Sequence, residues 1–166
     1  MFNFFKKKDK KEVVKEVNVY AMCDGEFVNI EDVQDEVFAQ KMMGEGFAIR
    51  PTNGTINSPV DGQVDNIFPT KHAVSFTVGE LEILLHMGID TVSLEGKPFT
   101  ILVNENTQVS KGDNIADVNL TELEENDKDK DMIIVFTNGA EVIDKIDVKA
   151  SGTVSKGDLV ATIKLK

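Results

Sequence analysis

The chain contains two histidines, His72 and His86, and both lie in stretches that favour β-strands. The apolar runs 73–78 and 81–85 separate them, with a glycine between the runs. If residues 78–80 form a three-residue hairpin loop, the pairing places the two histidines directly opposite each other on one face. A four-residue loop would instead shift the register by one residue and place them on a diagonal. The spacing therefore predicts two neighbouring imidazoles.

Two imidazoles in contact are seldom both protonated, because like charges at that distance disfavour ionisation. At least one ring should be neutral near pH 7, and its free nitrogen can bind a metal, act as a base or attack phosphorus. Asp90 follows His86 closely and could complete a zinc site with His72. The alternative for each histidine is a hydrogen-bonded structural side chain. Apolar residues near the pair predict that both rings are exposed in an apolar surface depression: Phe68, Leu84, Met87, Ile89 and Val92.

Motifs of several other catalytic classes do not occur in the sequence. It has no Gly-x-Ser-x-Gly, no P-loop and no His-Glu-x-x-His, and residues 44–46 lack the third glycine of a dinucleotide fingerprint. Without a nucleotide site, we do not expect the chain to take phosphate from ATP. A phosphoryl group donated by another protein fits these residues better.

The elements that would position the histidines are mostly strands. Short apolar or alternating runs separated by glycine and asparagine predict strands at 25–30, 62–68, 73–78, 81–85, 99–103 and 132–136. Asp35 could cap a helix over 36–43 that Gly44 ends. The acidic stretch 121–130 could hold a second short helix, and it is interpreted as a solvated surface connection either way.

A five-residue segment, Val-Ser-Lys-Gly-Asp, occurs at both 109–113 and 154–158, and an alternating strand follows each copy. Lys-Gly-Asp is typical of a tight turn, because glycine supplies a positive φ and aspartate can bond its own backbone. Residues 23–30 also resemble residues 60–67. The repetition predicts an all-β fold, an antiparallel β-sandwich or barrel with an internal pseudo-repeat and short helices.

Composition limits the classes of function. The 166 residues are 41% hydrophobic, which suffices for one domain with a sizeable core. The net charge of -11 would repel nucleic acid, so we expect no nucleic-acid partner. No apolar run is long enough to span a membrane, and no secretory signal is recognisable. The lone cysteine, Cys23, fits a reducing compartment, and we expect a cytoplasmic protein in which this side chain packs in the core.

Residues 1–17 form a basic N-terminal tail in this interpretation, followed by one domain over 18–166. The tail has six lysines against three carboxylates, and three of its first five residues are phenylalanines. Such a segment could make weak contact with an anionic membrane, or it could be a solubilising tail.

Four segments together resemble the glucose-type enzyme IIA component of the bacterial phosphotransferase system: 44–49 (Gly-Glu-Gly-Phe-Ala-Ile), 58–62 (Ser-Pro-Val-Asp-Gly), 67–72 (Ile-Phe-Pro-Thr-Lys-His) and 84–92 (Leu-Leu-His-Met-Gly-Ile-Asp-Thr-Val). The likeness runs from about Val19 to Lys166. The His-x-Gly-Ile-Asp-Thr-Val core, joined to an upstream Thr-x-His, is highly specific. It implies an enzyme IIA fold and a phosphotransferase activity that works through a phosphohistidine.

The resemblance also implies roles for particular residues. His86 would be phosphorylated, and His72 would contact the phosphoryl group and support its transfer. Thr70 would orient the imidazole of His72, and the carbonyl of Gly88 would hold one ring nitrogen of His86, leaving the ε nitrogen as nucleophile. Asp90 would tune the charge beside the site and the docking of partners.

The resemblance implies protein partners as well. Phosphate would come from the phosphocarrier HPr and pass to the IIB domain of a sugar permease, with no cofactor required. The apolar ring that docks these partners would consist of Val37, Phe38, Met42, Met43, Phe68, Leu84 and Val92. We interpret the chain as a free-standing IIA rather than part of a fused permease.

The sequence is also compatible with two other functions. The chain could be a non-catalytic regulator that binds its targets with the same face, with phosphorylation as a switch. A less favoured alternative is a zinc enzyme that uses His72 and His86. Zinc shared between these histidines and a partner protein is a related expectation.

Overall fold

The structure, a computed structural model, describes residues 13–166. Its strands are β1 (Glu16–Tyr20), β2 (Gly25–Asn29), β3 (Gly46–Pro51), β4 (Thr55–Asn57), β5 (Gly62–Ile67), β6 (Ala73–Val78), β7 (Leu81–Met87), β8 (Phe99–Ile101), β9 (Thr107–Val109), β10 (Asn114–Val118), β11 (Met132–Phe136), β12 (Ile143–Val148), β13 (Thr153–Val154) and β14 (Leu159–Leu165). The helices are α1 (Glu36–Ala39), α2 (Leu120–Glu125) and α3 (Gly139–Val142), with 3-10 turns at Ile30–Asp32 and Thr91–Leu94.

Within the described residues, the strands form three sheets in which every pair is antiparallel. The largest has eight strands in the order β13-β2-β3-β11-β7-β6-β5-β9. The two smaller sheets are β1-β14-β12 and β4-β10-β8. The predicted all-β antiparallel fold with short helices is therefore confirmed.

The eight-stranded sheet is apolar on both faces near its centre, and His86 lies on the face that points away from the main core. Leu85 and Val74 face the main core, which also includes the buried side chains of the two smaller sheets. Their neighbours Leu84 and Ala73 face the other way, into a smaller apolar cluster. Segment 30–43 covers that cluster with Ile30, Val33 and Phe38. Because side chains alternate along a strand, His86 shares this outer face with Leu84.

The predicted β6–β7 hairpin forms, but its loop is shorter than the three residues expected. Val78 pairs with Leu81, so Gly79 and Glu80 alone make the turn, with Gly79 at a φ of +58°. A glycine at positive φ is typical of two-residue hairpin loops. The shorter loop shifts the register by one residue, and Ala73 rather than His72 lies opposite His86. The predicted direct pairing of the histidines is wrong.

Helix α1 is shorter than predicted, although its cap is as expected. The carboxylate of Asp35 accepts a hydrogen bond from the backbone N–H of Val37 at 2.8 Å. The helix ends at Ala39 rather than residue 43, because Lys41 adopts a left-handed conformation with φ of 61°. The following residues continue as turns up to Gly44.

The two copies of the repeat have the same local geometry. In each, the aspartate accepts a bond from the serine N–H at 2.9 Å, Asp113 from Ser110 and Asp158 from Ser155. The glycines have φ of 88° and 89°. Strands β10 and β14 follow the two turns. The predicted turns and the strands after them are confirmed.

At its start, the described chain joins a sheet at Glu16, two residues before the predicted boundary at residue 18. Val17 is buried in the main core and pairs with Ile163. Residues 1–12 of the predicted basic tail over 1–17 lie outside the described residues, and the expectation of weak membrane contact, which depends on the phenylalanines there, stays a prediction. Each helix within 13–166 falls short of the length and hydropathy that a membrane span requires.

Candidate functional site

The ends of two neighbouring strands position the histidines. His86 is the next-to-last residue of β7, between Ala73 on β6 and Ile133 on β11. His72 directly precedes β6, and its carbonyl accepts the N–H of Met87 at 2.7 Å. Because His72 lies just outside the strand, its side chain is not bound by the alternation of the sheet. The small side chain of Ala73 leaves room beside His86.

The structure brings the two imidazoles into contact despite the shifted register. Their ring centroids are 5.0 Å apart, and the ring planes meet at 73°. The pair is unequal in exposure: His72 is 7% exposed, whereas His86 is partly exposed. The expectation that both rings are exposed is wrong for His72, because Phe68 packs edge-on against it at 5.5 Å between centroids.

The turn after β7 fixes the orientation of the His86 ring. Nδ1 of His86 and the carbonyl oxygen of Gly88 are 2.7 Å apart, which requires Nδ1–H to donate. Gly88 has φ of +80°, and a Cβ there would approach Cγ2 of Thr91 to 2.6 Å. Glycine is thus required on both conformational and steric grounds. In a neutral ring with its proton on Nδ1, Nε2 carries the lone pair.

The turn before β6 fixes the other ring. Oγ1 of Thr70 lies 2.6 Å from Nδ1 of His72. Lys71 between them has φ of 59°, a left-handed conformation that is costly for a residue other than glycine. Among residues 13–166, Nε2 of neither histidine has a hydrogen-bond partner.

The apolar residues expected to dock partners around the histidines divide into three groups by their exposure. Phe38 and Leu84 are buried, so they form the wall and floor of the site and not an exposed ring. The Phe38 ring lies edge-on to His86 at 5.1 Å between centroids. Met43 is half-buried against the same smaller cluster. The exposed apolar side chains are Val37, Met42 at 70% exposure, Phe68 and Val92 at 53%.

Burial keeps the histidines uncharged. Desolvation, with a further contribution from the nearby His86, lowers the pKa of His72 to about 4. Desolvation also lowers the pKa of His86, while the bond to Gly88 and the charges of Asp35 and Asp90 act in the opposite direction. Both rings are therefore neutral near pH 7.

The sequence did not identify Asp35 as a site residue, only as a helix cap. Its charge acts on His86 because α1, which it caps, carries Phe38 onto that ring. The proximity of Asp35 to His86 follows from the packing of α1 on the face of the eight-stranded sheet that carries His86, and the sequence alone does not show this packing. Asp90, which was expected beside the site, is exposed and has φ of 60° in the turn after β7.

The hypothesis of a zinc enzyme requires Asp90 to bind the metal together with His72 and His86. Over residues 13–166, no group of three or more histidine, cysteine, aspartate or glutamate side chains is arranged to hold a metal ion. The described part of the chain thus offers two imidazole nitrogens and no third ligand beside them.

Comparison with known proteins gives a consistent result. The family model for the phosphoenolpyruvate-dependent sugar phosphotransferase system, EIIA 1, matches residues 17–142. The chain is 46% identical over 149 residues to the PTS system glucose-specific EIIA component of Staphylococcus aureus (strain COL), and the match covers 89% of each chain. It is 46% identical over 148 residues to the PTS system glucose-specific EIICBA component of Streptococcus pneumoniae serotype 4, covering 89% of this chain but only 20% of that one.

A solved structure shares the fold. Glucose permease IIA from Mycoplasma capricolum superposes with a TM-score of 0.79 at 39% identity, and the match covers 90% of this chain and 96% of that one. The antiparallel sheets, the paired histidines and these similarities lead to the same assignment. The chain belongs to the EIIA 1 family of the phosphoenolpyruvate-dependent sugar phosphotransferase system.

Proposed function

We propose that the chain carries a phosphoryl group on Nε2 of His86, received from phospho-HPr and passed to the IIB domain of a glucose-family permease. The observation that carries the proposal is the 2.7 Å bond from Nδ1–H of His86 to the Gly88 carbonyl. It fixes the tautomer whose Nε2 lone pair can attack phosphorus.

In the first step, Nε2 of His86 attacks the phosphorus of phospho-HPr. The N–P bond in HPr breaks, and its electron pair stays on the HPr imidazole. In the second step, a cysteine thiolate of IIB attacks the same phosphorus, and the electron pair of the breaking bond returns to Nε2 of His86. No nucleotide is needed, because the phosphoryl group moves between nucleophiles while the protein positions it and spreads its charge.

His72 would support these steps as a neutral donor. If the hydroxyl of Thr70 donates to Nδ1 of His72, the ring proton lies on Nε2 and can bond a phosphoryl oxygen. The low pKa of His72, about 4, favours this neutral form. A neutral donor stabilises the transferred group without holding it as tightly as a full positive charge would.

Protein partners would dock on exposed apolar side chains, namely Val37, Met42, Phe68 and Val92. Phe68 packs on His72 itself, and a docked partner on these side chains would exclude water from the phosphoryl group. The net charge of -11 would attract a basic partner face. The same side chains favour a regulatory role, because a phosphoryl group of about -2 charge on His86 would oppose the docking of apolar targets.

Zinc at a partner interface would bind Nε2 of both histidines, which requires the proton of His72 to move to Nδ1 and the hydroxyl of Thr70 to accept it. Imidazole nitrogen is a preferred zinc ligand, and a tetrahedral site would take its other ligands from the partner. The transfer itself needs no metal in this scheme.

The proposal is tested by incubating the chain with phosphoenolpyruvate, enzyme I and HPr. We expect one acid-labile phosphate, no labelling of His86→Gln, and a His72→Gln variant that accepts phosphate but does not pass it to IIB. Labelling of His86→Gln to the wild-type level would show that the assignment is wrong.

A further inference from the structure

The buried carboxylate of Asp131 belongs to a residue that is hydrogen-bonded to the turn after His86. The side chain of Asp131 is 1% exposed, and its two oxygens accept bonds from Nε and Nη2 of Arg50 at 3.0 and 3.3 Å. Burial raises the pKa of Asp131, and the bond to Arg50 opposes that effect. A buried carboxylate is costly unless it is paired, so the half-exposed guanidinium is what makes this arrangement tenable. The proposed transfer steps do not use either group.

The segment that carries this carboxylate is bonded to the turn that orients His86. The carbonyl of Asp131 accepts the N–H of Gly88 at 2.9 Å, and the carbonyl of Asp129 accepts the N–H of Ile89 at 3.0 Å. The side chain of Asp129 also accepts the N–H of Asp131 at 2.9 Å, which makes residues 129–131 a closed turn. The peptide units on both sides of Gly88 are therefore held from this segment.

We infer that Arg50 and Asp131 are positioning residues for His86, acting through segment 129–131 and the carbonyl of Gly88. Arg50 lies on β3, and Asp131 directly precedes β11, the strand next to both β3 and β7. Their bidentate pairing fixes the point at which the chain enters β11. The carbonyl of Asp131 then fixes the N–H of Gly88, and the carbonyl of Gly88 fixes Nδ1–H of His86. This inference rests on the proposed role of His86 as the phosphoryl acceptor.

Close packing leaves this turn little freedom to compensate for a displaced segment. The site of a Cβ on Gly88 is 3.0 Å from the carbonyl oxygen of Asp129 and 2.6 Å from Cγ2 of Thr91. The hydroxyl of Thr91 in turn donates to the carbonyl of Met87 at 2.7 Å. A movement of 129–131 would therefore be transmitted to the Gly88 carbonyl, and small misplacements of a reacting group are costly in rate.

The test measures the tautomer of His86 directly, in protein that carries no phosphate. The ¹⁵N shifts of the imidazoles are compared in wild type, Asp131→Asn, Arg50→Gln and Arg50→Lys. We expect wild-type His86 to be protonated at Nδ1. In Asp131→Asn and Arg50→Gln, the fraction of His86 with its proton on Nδ1 should fall, while the shifts of His72 stay unchanged. Arg50→Lys keeps a cation and should restore part of the wild-type signal. The rate of phosphoryl transfer from phospho-HPr should fall about 10-fold in Asp131→Asn.

Two control variants separate positioning from general stability. Lys149→Gln removes an exposed ion pair with Asp147 on another sheet, and Ile163→Val loosens the main core. Neither should change the ¹⁵N shifts of His86. If Asp131→Asn loses stability yet keeps the wild-type tautomer and transfer rate, the pair is structural only and the inference is wrong.

The two proposals fail in different ways. If wild type accepts no phosphate on His86, the proposed function is wrong, while a changed tautomer in Asp131→Asn would still support the positioning of His86 by this pair. If wild type is phosphorylated and the variants keep both the tautomer and the rate, only the positioning inference is overturned.

Discussion

At the scale of single residues, two imidazoles in contact have different chemistry because their ring nitrogens have different partners. A carbonyl can only accept, so Gly88 fixes the proton of His86 on Nδ1. A hydroxyl can donate, so Thr70 allows His72 to keep its proton on Nε2. One ring thus presents a lone pair, and the other presents an N–H when the hydroxyl of Thr70 donates. This difference is what the proposed nucleophile, His86, and its proposed supporting donor, His72, require.

The pKa of His72 predicts how stability depends on pH. Its value is about 4 in the folded chain and about 6.5 in an unfolded one. Between these values the unfolded state binds a proton that the folded state does not, so stability is lost as pH falls from about 6.5 to about 4. From pH 7 to pH 4.5, wild type should lose about 2 kcal/mol more unfolding free energy than His72→Gln.

Urea denaturation of the two proteins at both pH values measures this difference. The variant serves as the control for the other groups that titrate in this range, since they are present in both chains. Equal losses in the two proteins would mean that His72 keeps its ordinary pKa.

At the scale of elements, the site residues lie at or near the ends of short strands and of one short helix. Helix α1 is only four residues long, yet it places Phe38 against His86 and its cap Asp35 near the same ring. The cap and the charge belong to one carboxylate, so a substitution can separate the two effects.

We expect Asp35→Ala to lose the cap and to cost about 1 kcal/mol of unfolding free energy. Asp35→Asn keeps a capping oxygen, so its stability should stay close to that of wild type. Both variants remove the negative charge that raises the pKa of His86, so this pKa should fall in each. Chemical denaturation and an NMR titration of His86 measure the two effects. A loss of stability in Asp35→Asn as large as in Asp35→Ala would contradict the capping role.

Sequence periodicity predicts the bounds of strands better than it predicts which residues of two strands are paired. Strands β6 and β11 have the predicted bounds, because their apolar runs end at clear turn residues. The hairpin register was predicted wrongly because glycine is compatible with loops of two or three residues, and only packing decides between them. The rings still meet because His72 lies beyond the strand, where the pairing rule does not apply.

At the scale of the whole molecule, the repeat and the two-faced central sheet organise the fold. The repeated turns were predictable, since the same five residues impose the same local bonds wherever they occur. The burial of Phe38 and Leu84 was not, because it depends on which segment covers the outer face of the sheet. The ion pair of Arg50 and Asp131 joins residues far apart in sequence, and local patterns hold no signal for it.

The repeat predicts that equivalent substitutions have equal effects. Gly112 and Gly157 both have positive φ, and a Cβ at either position would meet nothing within 4 Å. Alanine there should therefore cost only backbone strain, about 1–2 kcal/mol in each variant. The effects should add in the double variant, because the two turns share no partner. Thermal or urea unfolding of the three variants checks this, and a large difference between the single variants would show that the turns are not equivalent.

The proposed phosphoryl transfer is tested most directly by finding which nitrogen of which histidine carries the phosphoryl group. The chain is labelled uniformly with ¹⁵N, phosphorylated by phospho-HPr, and the histidine ring nitrogens are observed by NMR with ³¹P coupling. We expect a single ³¹P coupling, to Nε2 of His86, with Nδ1 still protonated. Phosphorus on Nδ1 of His86, or on either nitrogen of His72, would contradict the proposed transfer.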